Sequence, residues 1–570
     1  MPSAPTRAAA NVRPMRTSKS TLVLATSLAA AASLGAIASC GSSDAGSGFD
    51  DPDVGLPERQ ETSVVIEAAP VVHDDFKNPV FADGASPNAP QAFAQPDVTA
   101  DAGDGGASTG GPCLYEPEIG TLFPSNWLRP RFRFAAAQSE NLFEIKMVVP
   151  NQVSPLVIYT TKSGYTLDKA LWQILTTTGF GTVHLTVRSA VVDAAGKVTA
   201  GPFKGTEGDF EVAPPQVQAT GSVLYWTTSG GTVLKGFKIG DETVQSVITP
   251  AAAQAQCVAC HTSTPDGLYA GLTGSSNAAD GTPSSITIRS VDGLATEPPF
   301  LSASAKTLLA RQQYAPTFSK AHWQDGDHTV LTMFAVSGKT EIAWTDLEAK
   351  AVTQGMGWDV LARGGDTGSA SSATFAHDGT KLAYVSTTGT GAGVIAGDGR
   401  IFTVPYTNRA GGPATAVAGA SDAAFNQYYP TFSADDQVLA FNRVPAGPSG
   451  TSYNNPLAEV FVVPAAGGTA TRLAANDPPA CLTTKKSPGI TNSWPKWAPE
   501  VRTAGGKSYY FLVFSSTRNP ASGGPQLYVA PIVIEGGVVK TYAALSLWNQ
   551  PEAENNHTPA WDVFQLPGPK

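Results

Sequence analysis

From Cys113 onward the chain reads as short apolar runs alternating with polar positions and punctuated by Gly, Pro, Asn and Asp. Between 113 and 214 the runs Arg131-Phe132-Arg133-Phe134, Leu142 to Val149, Val157 to Thr161, Thr182 to Arg188 and Asp209 to Val212 follow a period of two, as half-buried strands do. One segment, Leu167 to Leu175 behind Thr166, has the spacing of a short helix. Strands of this length over about 100 residues predict an immunoglobulin- or fibronectin-like β-sandwich.

From 215 to 570 the pattern becomes a repeat. Its members are Tyr314-Ala315-Pro316-Thr317-Phe318-Ser319, Ala373-Thr374-Phe375-Ala376, Tyr429-Pro430-Thr431-Phe432-Ser433, Trp494-Pro495-Lys496-Trp497-Ala498 and Thr558-Pro559-Ala560-Trp561, spaced 57 to 65 residues apart. That spacing suits one four-stranded unit each. A turn such as His377-Asp378-Gly379 follows, then an apolar strand such as Leu382-Ala383-Tyr384 or Leu439-Ala440-Phe441, and later a further strand such as Val460 to Pro464. The pattern resembles the TolB-like, WD40-like propeller repeat, and the resemblance implies one β-propeller blade per unit.

Thr264-Pro265-Asp266-Gly267 aligns with the same turn and starts a blade near Cys257. Val223 to Trp226 and Val233 to Ile239 have outer-strand character without an inner strand, and Thr558 to Trp561 has the reverse deficit. The two chain ends are therefore expected to complete one blade together, which closes the ring at six blades and leaves no bare sheet edge. The expected fold is all-β, a sandwich at 113–214 followed by a six-bladed propeller at 215–570.

The N-terminal end departs from this pattern. Arg7, Arg13, Arg16 and Lys19 precede an apolar run from Leu22 to Ala38, and Ile37-Ala38-Ser39-Cys40 resembles the lipobox of bacterial lipoproteins. The resemblance implies a signal peptide at 1–39 and lipidation of Cys40, hence a membrane partner through that anchor. Gly41, rather than Asp, after the cysteine leans the destination towards the outer membrane, facing the periplasm or the cell surface. Residues 40–112, rich in Gly, Ser, Ala, Pro and Asp, are expected to be a disordered tether with a reach of roughly 45–50 Å.

Composition sets limits on partners. With a formal net charge of -10 and no Lys/Arg-rich run, the chain offers no field for a phosphate backbone, which excludes nucleic acid as a partner. No His-Glu-x-x-His or P-loop pattern occurs.

The sharpest chemical signal is Cys257-Val258-Ala259-Cys260-His261, the attachment motif of c-type haem. Two thiols at that spacing reach the two vinyl groups of one porphyrin, and the adjacent imidazole can take the iron as proximal ligand. The competing readings are a surface disulfide or half of a zinc site. In the repeat, His261 falls at the place of Pro316, Pro430, Pro495 and Pro559, so the residues preceding those prolines are expected to ring a haem at the channel mouth. They include Gln312, Asn426, Gln427, Tyr428, Asn492, Asn556 and His557. Asn and Gln at such places also serve simply to satisfy turn backbone. His557, in the ring-closing blade, is the expected sixth ligand, and a five-coordinate iron is the alternative. Cys113 and Cys481 are candidates for one disulfide between sandwich and propeller, or for two separately buried thiols.

Three functions follow. The first is an envelope haem c protein for electron transfer or redox sensing, with a redox or envelope protein as partner. The second is a haem enzyme with an open iron site. The third is a non-catalytic propeller that binds a protein, peptide or glycan.

Overall fold

The computed structural model describes residues 71–98, 110–136, 139–275, 285–389, 395, 397–447, 451–482, 485–519, 522 and 524–568. The expected signal peptide 1–39, the lipidation site Cys40 and the tether up to residue 70 lie outside them. Residues 69–570 belong to one compact unit.

The first part is a two-sheet sandwich. One sheet runs Val80–Phe81, Leu156–Thr160, Leu142–Val148, Gly181–Val192, Val198–Val212, Leu122–Phe123, and the other Cys113–Glu116, Arg131–Ala135, Gly164–Thr166. The period-two pattern does what it implies: Phe132 and Phe134 are buried while Arg131 and Arg133 stay half-exposed. The helix forms at Lys169–Thr177, two residues later than expected, with Asp168 at its N-cap and Trp172 and Leu175 turned into the core.

The tether is shorter than its composition suggests, because residues 71–98 pack on the sandwich. Val80–Phe81 adds a parallel strand beside Leu156–Thr160, and Ala89–Ala92 forms a helical turn. Phe93 stacks on Tyr159 and lies under the Arg188 guanidinium. A few spaced apolar residues, Phe76, Ala85, Ala89, Ala92 and Phe93, find a ready-made edge and slot there. Average composition, dominated by their polar neighbours, hides them.

The second part is a propeller of six sheets. Blade one runs from Cys257–Ser263 to Ser285–Ser290, blade two from Gln313–Phe318 to Trp358–Val360, and blade three from Ser369–Phe375 to Thr415–Ala416. Blade four runs from Phe425–Phe432 to Thr471–Arg472, and blade five from Asn492–Trp497 to Val538–Thr541. Blade six joins the chain ends as expected: Ser222–Thr227, Val233–Lys238 and Gln245–Ile248 supply three strands, and Asn556–Asp562 the innermost. The innermost strands pack one against the next around a complete circle.

The hairpin turn after the innermost strand explains its own sequence. In blade one Thr264 Oγ1 donates to Asp266 Oδ1 (2.6 Å), which also accepts Leu268 N–H (2.9 Å). Gly267 has φ +72° and its missing Cβ would stand 2.1 Å from Val563 O, so only glycine suits. In blade four Asp436 takes the equivalent left-handed place, and its carboxylate accepts the N–H groups of His377 and Asp378 on blade three.

Sandwich and propeller share a core in which Leu122, Phe123 and Trp127 meet Tyr509, Phe511, Val529 and Trp561. Cys113 and Cys481 are joined as a disulfide between the two parts, with Cα atoms 5.7 Å apart.

Candidate functional site

Every innermost strand slips register at the same level. The slips fall between Val258 and His261, Gln313 and Thr317, Ser371 and Thr374, Tyr428 and Thr431, and Ser493 and Lys496. In blade six the slip lies between His557 and Ala560, opposite Trp226 and Leu224. Extra residues at each slip form a β-bulge, and the backbone turns left-handed at Tyr314, Ser372, Tyr429, Trp494 and Thr558. The residue that ends each bulge is Pro316, Ala373, Pro430, Pro495 or Pro559, and in blade one Cys260. Proline is tolerated because a bulge residue gives no N–H to the ladder.

This register corrects the alignment read from the sequence. Cys260, not His261, stands in the proline's place, and His261 belongs with Thr317, Thr374, Thr431, Lys496 and Ala560. In a strand a slip of one residue sends a side chain to the other face.

Cys260 and His261 line a channel cavity of about 80 Å3 together with Tyr314, Tyr429, Trp494 and Lys496. Burial pushes the Cys260 thiol up to about 11. Neither Cys257 nor Cys260 is in a disulfide. Cys257 pairs with Ser275, the last described residue before 276–284.

His261 is turned away from solvent, with 5% of its surface exposed. Its Nε2 lies 2.9 Å from Leu224 O of blade six and its Nδ1 3.2 Å from Ala259 O. A carbonyl only accepts, so Nε2 at the shorter contact carries the proton. Burial holds this imidazole down at about 4, hence neutral near pH 7.

His557 has the opposite character. It sits in an aromatic wall with ring centroids 5.5 Å from Trp226, 5.7 Å from Trp494 and 6.2 Å from Tyr453, and Trp494 stacks on Tyr429. Its Nε2 has one long contact, 3.4 Å to Thr228 Oγ1, and its buried Nδ1 has no partner among the described residues. Burial brings it, too, down to about 4.

Most of the polar residues before the bulges serve structure. Gln312 bonds Thr345 and Thr332 on its own blade, Asn426 accepts Gly399 N–H, Asn492 donates to Asn476 O, and Asn556 donates to Gln550. Gln427 and the Tyr428 hydroxyl stay buried without partners among the described residues.

A covalent haem needs two reachable thiols, an iron-binding nitrogen and room for the ring. Of the two thiols, Cys260 lines the channel cavity, and Cys257 stands three residues earlier at the start of the same strand. His261 as placed bonds Leu224 O through Nε2 and has Nδ1 beside Ala259 O, whereas His557 keeps a buried Nδ1 without a partner among the described residues. The cavity is well below the roughly 300–1,000 Å3 of sites that enclose a sizeable ligand. The cavity itself is thus too small to enclose a porphyrin. Among the described residues no group of three or more His, Cys, Asp or Glu is arranged to hold a bare metal ion.

Sequence reasoning passed over Lys496. Its signal was present: at that place in the repeat the other blades carry Thr317, Thr374, Thr431, Ala560 or His261, and only blade five carries a cation. Lys496 lines both the cavity at Cys260 and a second one further along the channel.

No family model matches the chain, and no curated protein matches it. Among solved structures it is similar to a chain of hydrazine synthase from Kuenenia stuttgartiensis (12% identity, TM-score 0.39), over 60% of this chain and 46% of that one. It thus spans less than half of that protein's chain. It is also similar to a chain of a nidogen/laminin complex (13% identity, TM-score 0.34, 60% and 98% covered). A third is a quinonprotein alcohol dehydrogenase-like protein from Bacteroides thetaiotaomicron (9% identity, TM-score 0.24, 79% and 98% covered). The six-bladed ring itself rests on the sheet order described above.

Proposed function

We propose that the chain is an exported propeller protein, lipid-anchored at Cys40 in the cell envelope, that carries one c-type haem at its channel mouth for electron transfer or redox sensing. One observation carries the reading. At the bulge where five blades have proline or alanine, blade one has Cys260 lining the channel cavity, with Cys257 three residues before it at the start of the same strand. The five other blades show what the fold needs there, so the departure in blade one answers to chemistry.

In this reading Cys257 and Cys260 hold the porphyrin by thioether links. His557 offers the nitrogen, steadied by Trp226, Trp494 and Tyr453. His261 keeps blade one against blade six. Bound there, the haem would supply a one-electron couple near the surface, within reach of a redox or envelope protein partner. The aromatic wall would keep water from one side of the site.

The test is a spectrum. Mature protein from a host able to attach haem c is expected to show a Soret band that survives acid-acetone extraction, and the Cys257→Ala/Cys260→Ala variant to lack it. Absence of the band from the wild type would overturn the reading and favour a haem-free binding propeller. Ready binding of carbon monoxide by the reduced protein would favour an enzyme with an open iron.

A further inference from the structure

The channel below the bulges is electrically unlike the rest of the molecule. The chain carries a formal net charge of -10, yet the second cavity, about 100 Å3, is lined by Lys320 and Lys496, with His377 beside them and Asp562 as its one carboxylate. Neither lysine has an ion pair or a side-chain hydrogen bond among the described residues. His377 is already turned to Asp436, 3.1 Å away. Burial raises the Asp562 carboxyl, against the pull of Lys320, His377 and Lys496, and lowers the Lys496 ammonium, so each charge in the cavity favours a further partner of opposite sign.

Lys496 is placed there by its strand. Pro495 fixes the bulge, Lys496 resumes register opposite Val513, and the neighbouring Trp497 is pinned by an Nε1–H bond to Thr431 O (3.0 Å). Thr317, Thr374 and Thr431 of three further blades stand at the same level and line the same cavity, each bringing a residue with a hydroxyl donor to it. Both lysines are half-buried and face a single carboxylate, and a narrow low-dielectric channel focuses the field of such groups.

We infer that the channel is a binding site for a small oxyanion or carboxylate, held between Lys496 and Lys320 and hydrogen-bonded by the threonine hydroxyls. The cavity takes an anion of a few heavy atoms and excludes nucleotides. The site adjoins the cavity at Cys260 and shares Lys496, Thr317 and Thr374 with it, so the titration is read on the Cys257→Ala/Cys260→Ala protein as well, where no haem can attach.

The test uses the full mature chain at fixed ionic strength, titrated with inorganic phosphate and with acetate against chloride and followed by calorimetry and tryptophan fluorescence, since Trp497 and Trp561 line the cavity. Saturable binding of phosphate or acetate is expected, weakened at least tenfold in Lys496→Thr. That variant should fold, because threonine occupies the same place in blades two, three and four. A Lys320→Ala variant should weaken binding by a smaller factor. If neither anion binds more tightly than chloride, or if Lys496→Thr binds as well as the wild type, the inference is wrong.

Discussion

Glu118 of the sandwich and Arg518 of blade five form an ion pair at 2.9 Å, with only 6% and 2% of their side chains exposed. Arg518 also reaches Asn492 Oδ1 (3.0 Å) and Ser516 Oγ (3.1 Å) and lies over the rings of Tyr528 and Phe514. A charge sealed this deeply is tolerable only when paired and hydrogen-bonded, so the pair registers one domain on the other.

Removing one partner leaves the other charged and buried. Glu118→Leu or Arg518→Met alone should each cost about 3–5 kcal/mol. The double variant Glu118→Leu/Arg518→Met should cost clearly less than the sum, since no lone charge remains. Urea unfolding of the three variants checks this; additive losses would mean that the pair does not couple the domains.

What the sequence made legible was whatever repeats. Prolines, Asp-Gly turns and the matched deficits of Val223 to Ile239 and Thr558 to Trp561 led to six blades and the shared closing blade. The register within a blade was not legible, because a bulge adds residues without altering composition or hydrophobicity, and one residue decided whether Cys260 or His261 stood in the proline's place. Lys496 lay inside a motif read only as a strand marker. The packing of Phe93 on Tyr159 was hidden because docking onto an existing edge needs few apolar residues.

The second prediction concerns pH at the same domain junction. The Arg129 guanidinium, bonded to Glu242 at 2.5 and 2.7 Å, holds that carboxyl below the usual carboxylate range. A depressed folded-state value means that the stabilisation is complete above the unfolded value of about 4.3 and is lost as pH falls through the folded value. Melting temperature should thus drop on going from pH 5 to pH 3, and Glu242→Gln should flatten part of that drop. An unchanged slope in the variant would remove this pair from the account.

The third prediction concerns the disulfide. Cys113 and Cys481 are 368 residues apart, so their bond constrains a large part of the unfolded chain. Cys113→Ser/Cys481→Ser should lower stability by about 2–5 kcal/mol while leaving the circular dichroism of the folded protein unchanged. Under non-reducing electrophoresis the wild type should run more compactly than the variant, and equal mobility would speak against the bond.

The fourth prediction concerns closure. Asn556–Asp562 pairs with Ser222–Thr227 and brings Trp561, whose Nε1–H donates to Thr220 O (2.7 Å) and whose ring centroid lies 5.9 Å from that of Trp127. Deleting residues 555–570 removes the innermost strand of blade six and bares a sheet edge. The truncated chain should aggregate or unfold at markedly lower urea than the full chain; equal midpoints would contradict a ring closed by this strand.

The last prediction separates the two histidines. In the Cys257→Ala/Cys260→Ala background no haem can attach, so any effect of a histidine substitution there belongs to the fold. His261 donates to Leu224 O across the junction of blades one and six, and its loss strands that carbonyl in a sealed place. His261→Ala in that background should therefore cost roughly 1–3 kcal/mol. His557 makes only one long contact and leaves Nδ1 bare, so His557→Phe, which keeps the ring against Trp226 and Trp494, should cost much less. With the thiols restored the order should invert: His557→Phe should change the spectrum of the haem iron, and His261→Ala should lower stability but leave that spectrum in place. If His261→Ala is silent in the thiol-free protein yet alters the spectrum of the iron in the haem-bearing one, the imidazole leaves Leu224 O when the haem attaches, and His261 is an axial ligand after all.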